Sequence, residues 1–213
     1  MDIVQAIKER RSINFFEPGR DLPDGTIRDI VELAGLAPSS MNLQPWRVVV
    51  VKDPERKKAL RKCAFDQPKT EDASAVLIIV ADPGSLEANI DRVLLKWVEM
   101  GYMVQDMVAT YKGLAAKLYG TEESLQRKFF AVKNASLFAM SIMLAAREFG
   151  LETHPMDGFD ENCVKREFNV PGDKIVPMLI AIGYLKPGVT LLPRAYRMEV
   201  KDYLAFNNYA KEA

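Results

Sequence analysis

One helical segment limits how this chain can fold more than any other feature. It follows a break at Gly120 and Thr121, ends near Phe149, and is apolar nearly all round, with Phe138, Ala139, Ile142, Met143 and Ala146 spread over its surface. A helix of that kind has to be covered on most sides. Its alanines and Ser136 let neighbouring backbones come close, and Gly150 supplies a stop. The longest apolar stretch, residues 137–146, is interrupted by Ser141 and is too short to cross a bilayer. The expectation is therefore a core helix with other elements wrapped around it, and no membrane partner.

Three short runs read as buried strands. Residues 46–51 are rich in β-branched side chains and bounded by turn signals, 75–80 lacks polar alternation, and 178–183 is continuously hydrophobic. Helices are expected over 2–11, with Asp2 as cap and Ile3, Val4 and Ile7 on one face, and from Ile27 to a stop before Pro38. Asp53-Pro54 is a cap and first-turn pair that opens a helix to about Cys63. Residues 86–120 form an amphipathic helical stretch through Val93, Leu94, Trp97, Met100, Val104 and Met107, and the tail reads as a Pro-rich turn and a short final helix. Strands and helices do not alternate strictly, which gives an α+β class rather than a doubly wound sheet. The 213 residues fit a single domain over 1–213, with a helical excursion at about 86–130 and a C-terminal arm at about 186–213. Three strands are a thin sheet for so much helix, and the broad apolar faces call for a second subunit.

Composition and missing motifs exclude much chemistry. With 29 basic and 29 acidic residues there is no surplus of positive charge to follow a phosphate backbone, so no nucleic-acid partner is expected. Charged residues follow the N-terminus within two turns, as no secretion signal would have them, and the expectation is a cytoplasmic protein. Cys63 and Cys163 lie far apart and are expected to be separate, reduced core thiols. No G-x-G, no phosphate-loop G-K-[ST] and no G-x-S-x-G occurs. The one histidine, His154, leaves no imidazole cluster for a metal and is read as a structural residue beside Pro155. A chain so poor in acid–base side chains needs a bound cofactor to supply its chemistry.

The motifs that remain suit such a cofactor. Arg10-Arg11-Ser12 puts two guanidiniums and a hydroxyl where the first helix ends, a set that can grip a phosphate. In P-S-S-M-N-L-Q-P-W, residues 38–46, short hydroxyl and amide side chains are fixed between prolines and lead into a strand. Such a loop offers uncharged donors and acceptors to a flat heterocycle with alternating N–H and C=O edges. Asp157 and Gly158 offer main-chain amides in a turn where glycine permits close approach, and Arg194 and Arg197 add cationic donors from the tail.

Taken in order, R-R-S, P-S-S-M-N-L-Q-P-W, P-M-D-G-F-D, a strand ending Ile182-Gly183-Tyr184 and a late arginine resemble the FMN-dependent nitroreductase family over nearly the whole chain. The resemblance implies a mostly antiparallel central sheet flanked by helices in an interlocked homodimer. It implies FMN as cofactor and NADH or NADPH as reductant. Hydride would pass through flavin N5 in a ping-pong cycle to a small oxidised acceptor such as a nitroaromatic or quinone. By the same resemblance Arg10, Arg11, Ser12, Asn14, Pro38, Ser39, Ser40, Asn42, Gln44, Gln67, Lys69, Asp157, Gly158, Arg194 and Arg197 are cofactor residues. The 38–46 loop reaches the flavin of the opposite subunit. No side chain is needed as nucleophile, no metal is expected, and Lys69 has a possible electrostatic role toward the reduced ring. Asn14 stands where the family often has Arg, Lys or another polar residue, and Asp157 where it often has Glu. The same resemblance leaves open reductive dehalogenation, alkene reduction, flavin fragmentation or a flavin-binding sensor without turnover.

Overall fold

The structure is a computed structural model and describes residues 2–209. Met1 and residues 210–213, the end of the expected arm, lie outside the described residues. The first helix, α1 (Ile3–Glu9), is capped by Asp2, whose carboxylate accepts from the Val4 amide. Next come α2 (Asp24–Ala34), strand β1 (Trp46–Val51) and α3 (Pro54–Cys63), the last capped by Asp53 at 2.9 Å from the Arg56 amide. The short α4 (Lys69–Asp72) leads into β2 (Ala75–Ala81). Helices α5 (Ser85–Glu99), α6 (Val108–Tyr119) and α7 (Leu125–Glu148) follow, then β3 (Glu152–Met156), α8 (Glu161–Phe168) and β4 (Ile175–Gly183).

The sheet has the order β1-β2-β4-β3, and every neighbouring pair is antiparallel. The central strand β2 is buried throughout because both faces are covered. Ala75, Leu77, Ile79 and Ala81 join a core with α2, α5 and α7, while Val76, Ile78 and Val80 join a second core with α3 and α8. This explains a strand without polar alternation. Helix α7 lies over the first core, and its Phe138 stacks on Trp46 with ring centroids 5.0 Å apart. By length and composition α7 could cross a membrane, but half of its apolar stretch is buried inside the protein.

The structure corrects the sequence reading in several places. The fourth strand, β3, occupies residues for which no strand was expected. Pro155 argues against a strand interior, yet β3 is the last strand of the sheet, beside β4 with an isolated bridge from Ser12 to Thr153 on its outer side, and an edge strand tolerates a residue without an amide hydrogen. The single stretch expected over 86–120 breaks after Glu99, where Gly101 turns with φ 77° and a 3₁₀ turn at Gln105–Met107 precedes α6. Helices α4 and α8 were not expected, and the final helix reduces to one 3₁₀ turn at Val200–Asp202.

The cysteine expectation is also overturned. Cys63 and Cys163 form a disulfide, with Cα atoms 5.4 Å apart. Their separation of 100 residues disguised a close approach, since α3 and α8 pack side by side on one face of the sheet. The Asp160 amide donates to Cys63 O at 2.8 Å beside the bridge.

Candidate functional site

The segment after α1 is laid along β3. The Ile13 amide donates to Thr153 O at 3.1 Å, Ser12 bridges Thr153, and the His154 ring nitrogen Nδ1 lies 3.0 Å from Ile13 O. These contacts hold Arg10, Arg11, Ser12 and Asn14 in place beside the sheet edge. The tail then returns across them: Arg11 donates to Pro193 O at 3.2 Å and Arg194 to Arg10 O at 3.4 Å. Arg197 donates to Tyr196 O and acts on Arg10 through its charge.

Arg10 shows what this cluster lacks. Its Nη1 is buried and has no hydrogen-bond partner. Burial, followed by repulsion from Arg194 and Arg197, pushes its proton affinity down. Among the described residues none of Arg10, Arg11, Arg194 and Arg197 forms an ion pair with a carboxylate. A half-buried guanidinium with one buried, unmet donor, facing two like charges and one more distant carboxylate, Glu152, suits an anion with several oxygens, such as a phosphomonoester.

Next to the arginines stands a polar shelf. Lys69 donates to Asn14 Oδ1 at 3.0 Å, and burial lowers the proton affinity of its ammonium group. Gln67 donates to Gly158 O at 2.6 Å and to Ala64 O at 3.0 Å. A Cβ added at Gly158 would meet Gln67 Nε2 at 3.0 Å, so glycine allows this close approach. The Gln67 amide nitrogen is thus taken up inside the protein, leaving its oxygen for a ligand. Asp157 and Gly158 are exposed residues on the same turn.

His154 carries a testable consequence. Burial, then Lys69 and then Arg10 lower its pKa, against the opposing effect of the bond to Ile13 O. The unfolded chain takes up a proton below about pH 6.5 while the folded ring resists it. Stability is therefore intact above that pH and is lost as pH falls from about 6.5 toward the lower folded value. The urea midpoint is expected to drop between pH 7 and 5, and to drop less in His154→Asn, whose amide can replace the Nδ1–H donor. Equal pH slopes in the two proteins would count against a neutral buried ring.

The second half of the expected site lies elsewhere. Three residues of the 38–44 loop, Met41, Asn42 and Gln44, have φ of 50°, 52° and 48°. Ser39 Oγ accepts from the Gln44 amide at 3.0 Å, and the Gln44 side chain donates to Asn42 Oδ1 at 3.1 Å. The Ser40 amide donates to Asn134 Oδ1 and Leu43 O accepts from Asn89, two buried residues that sequence reasoning passed over. Their signal was a lone amide on an otherwise apolar helix face. Ser40 borders an open, mostly apolar cavity of about 750 Å³ with Leu118, Leu125, Phe129 and Lys133. Among the described residues no hydrogen bond or ion pair joins this loop, Pro38 included, to the arginine cluster.

This chain has counterparts among known proteins in both sequence and fold. Residues 7–184 match the Nitroreductase family, and the chain belongs to that family. It is 36% identical over 184 residues to an NADH dehydrogenase of Thermus thermophilus, covering 86% of this chain and 87% of that one. YdfN of Bacillus subtilis, described as a nitroreductase, superposes with a TM-score of 0.89 at 30% identity over 95% of this chain and 97% of its own. A protein of Exiguobacterium sibiricum, solved in complex with FMN, gives a TM-score of 0.84 at 28% identity, covering 97% of each chain.

Proposed function

We propose that two copies of this chain hold FMN between the arginine cluster of one and the 38–44 loop of the other, and reduce a small oxidised molecule such as a nitroaromatic or quinone. The chain is a flavin-dependent oxidoreductase that draws on NADH or NADPH. We read it as one nitroreductase-like domain with a helical excursion at about 86–130 and a C-terminal arm at about 186–213. The observation that carries the reading is the buried, partnerless Arg10 Nη1 among three further arginines. FMN fits there because its phosphate answers the arginines and its pyrimidine edge can meet Asn14, Lys69 and the Gln67–Gly158 shelf.

When bound, FMN would supply the redox chemistry between the nicotinamide and the acceptor. The protein contributes binding and orientation. Arg10, Arg11, Ser12 and Arg194 or Arg197 hold the phosphate, while the Asp157 and Gly158 amides present donors to the ring. Lys69 keeps a positive charge at the pyrimidine edge, where negative charge gathers on reduction. No side chain has to act as nucleophile.

The homodimer is supported by what one copy leaves uncovered. The two halves of the expected site are unconnected within a chain. Ile3, Val4 and Ile7 of α1 are more than half exposed, although the sequence put them on a packing face. Strand β1 has one free edge, and the arm exposes Leu192, Tyr196 and Phe206. The cavity beside Ser40 would then face the partner's flavin and receive the acceptor. A cytoplasmic location accords with a nicotinamide-driven reaction, and it sets the Cys63–Cys163 disulfide against reducing surroundings.

Arg11→Ala tests the phosphate assignment. Each charge-assisted hydrogen bond contributes roughly 1.5–3 kcal/mol, so FMN should dissociate about tenfold to a hundredfold more readily. Fluorescence titration of the apoprotein reads this directly, and unchanged affinity would remove Arg11 from the clamp. A steady-state screen of nitroaromatics and quinones, with parallel double-reciprocal plots expected, tests the acceptor class.

A further inference from the structure

The 38–44 loop has an improbable backbone. Left-handed φ costs a residue with a Cβ roughly 1–2 kcal/mol, and only Asn and Asp visit that region with some ease. Here Met41, Asn42 and Gln44 all adopt it within four residues. Such a conformation persists only where its surroundings over-determine it.

Two buried amides provide that determination. Asn134 on α7 is 1% exposed. Its Nδ2 donates to Phe130 O at 2.6 Å and its Oδ1 accepts from the Ser40 amide at 3.0 Å. Asn89 on α5 is 4% exposed. Its Nδ2 donates to Leu43 O at 2.8 Å and its Oδ1 accepts from Arg92 at 3.1 Å. The two left-handed residues Met41 and Asn42 sit between these anchors. Burying an amide without partners is costly, so each position makes sense only with the loop bond in place.

We infer that Asn134 and Asn89 are positioning residues for the cofactor: they touch no flavin but fix where Ser39, Ser40, Asn42 and Gln44 present their polar groups to it. This rests on the assignment of the loop to FMN in the dimer. Asn89 lies near the start of the helical excursion and Asn134 just beyond its end, so the two bonds tie the loop to both α5 and α7.

The test uses the full-length protein and three variants, with FMN as the probe. Asn134→Leu keeps the volume and removes both bonds. Asn134→Asp is the conservative rescue: a carboxyl buried there stays protonated, so its O–H can donate to Phe130 O while its carbonyl accepts from the Ser40 amide. Asn89→Ala acts at the far end of the loop and serves where Asn134→Leu fails to fold. The readouts are the FMN dissociation constant, the visible circular dichroism of bound FMN, and amide hydrogen exchange over residues 38–45 of the apoprotein.

Asn134→Leu and Asn89→Ala are expected to weaken FMN about tenfold, equivalent to 1.4 kcal/mol. They should also alter the flavin dichroism and speed exchange across the loop, with Asn134→Asp within about threefold of the original affinity. Wild-type affinity, dichroism and exchange in Asn134→Leu and Asn89→Ala would overturn the inference, as would an Asn134→Asp no better than Asn134→Leu. If the unaltered protein binds no FMN, the cofactor assignment fails instead, and the exchange data still report whether the anchors hold the loop.

Discussion

Replacing Arg127 by methionine is expected to lower stability by about 3–5 kcal/mol, because it strips the donor from several backbone carbonyls, each left unsatisfied at roughly 1–3 kcal/mol. The guanidinium is 1% exposed. It pairs with Glu87 at 2.7 Å and donates to Pro83 O at 3.0 Å, to Tyr119 O at 3.4 Å and to Gly120 O. Those partners lie before α5, within it, and at the end of α6, so one side chain on α7 ties the excursion together. Methionine fills similar space but leaves three carbonyls without their donor, while the exposed Glu87 carboxylate turns to water. For a chain of this length the loss corresponds to a fall in Tm of roughly 10–15 °C. Calorimetry reads it, and a fall of only a degree or two would show that water replaces the guanidinium without penalty.

Reduction of the Cys63–Cys163 bridge should have an effect of similar size. Cross-linking residues 100 apart removes much of the unfolded chain's freedom, up to about 4.7 kcal/mol on the chain-entropy account. The bridge also joins the end of α3, which leads to Gln67 and Lys69, to the start of α8, which follows Asp157 and Gly158. Dithiothreitol is therefore expected to lower the guanidinium chloride midpoint markedly, and Cys63→Ser/Cys163→Ser to reproduce that value with or without reductant. Two titratable thiols in the native, unreduced protein, or a midpoint indifferent to dithiothreitol, would contradict the bridge.

The parts of the fold that were legible in the sequence are those governed by local signals. Asp53-Pro54 opened α3 as a cap and first turn should, and the β-branched run at Trp46–Val51 formed its strand. What escaped was set by tertiary context. β3 contains Pro155 and alternates little, and only its place at the sheet edge makes it a strand. The disulfide could not be read because spacing along the chain says nothing about which helices end up adjacent. The proposed site divides in the same way. Arg10, Arg11 and the 38–46 loop announced themselves by residue type, and the family motif set their order. Asn134 and Asn89 carry no motif, and their role exists only once the loop has folded against α5 and α7.

The account stands most directly on one spectrum. Purified protein is supplied with FMN, freed of excess, and its absorbance followed anaerobically as NADH and then NADPH are added. A bound flavin that bleaches with one or both nicotinamides, and recovers when a quinone is admitted, is the expected result. Protein that neither retains nor takes up FMN would contradict the central claim, and flavin that binds but stays oxidised would deny it an oxidoreductase's turnover.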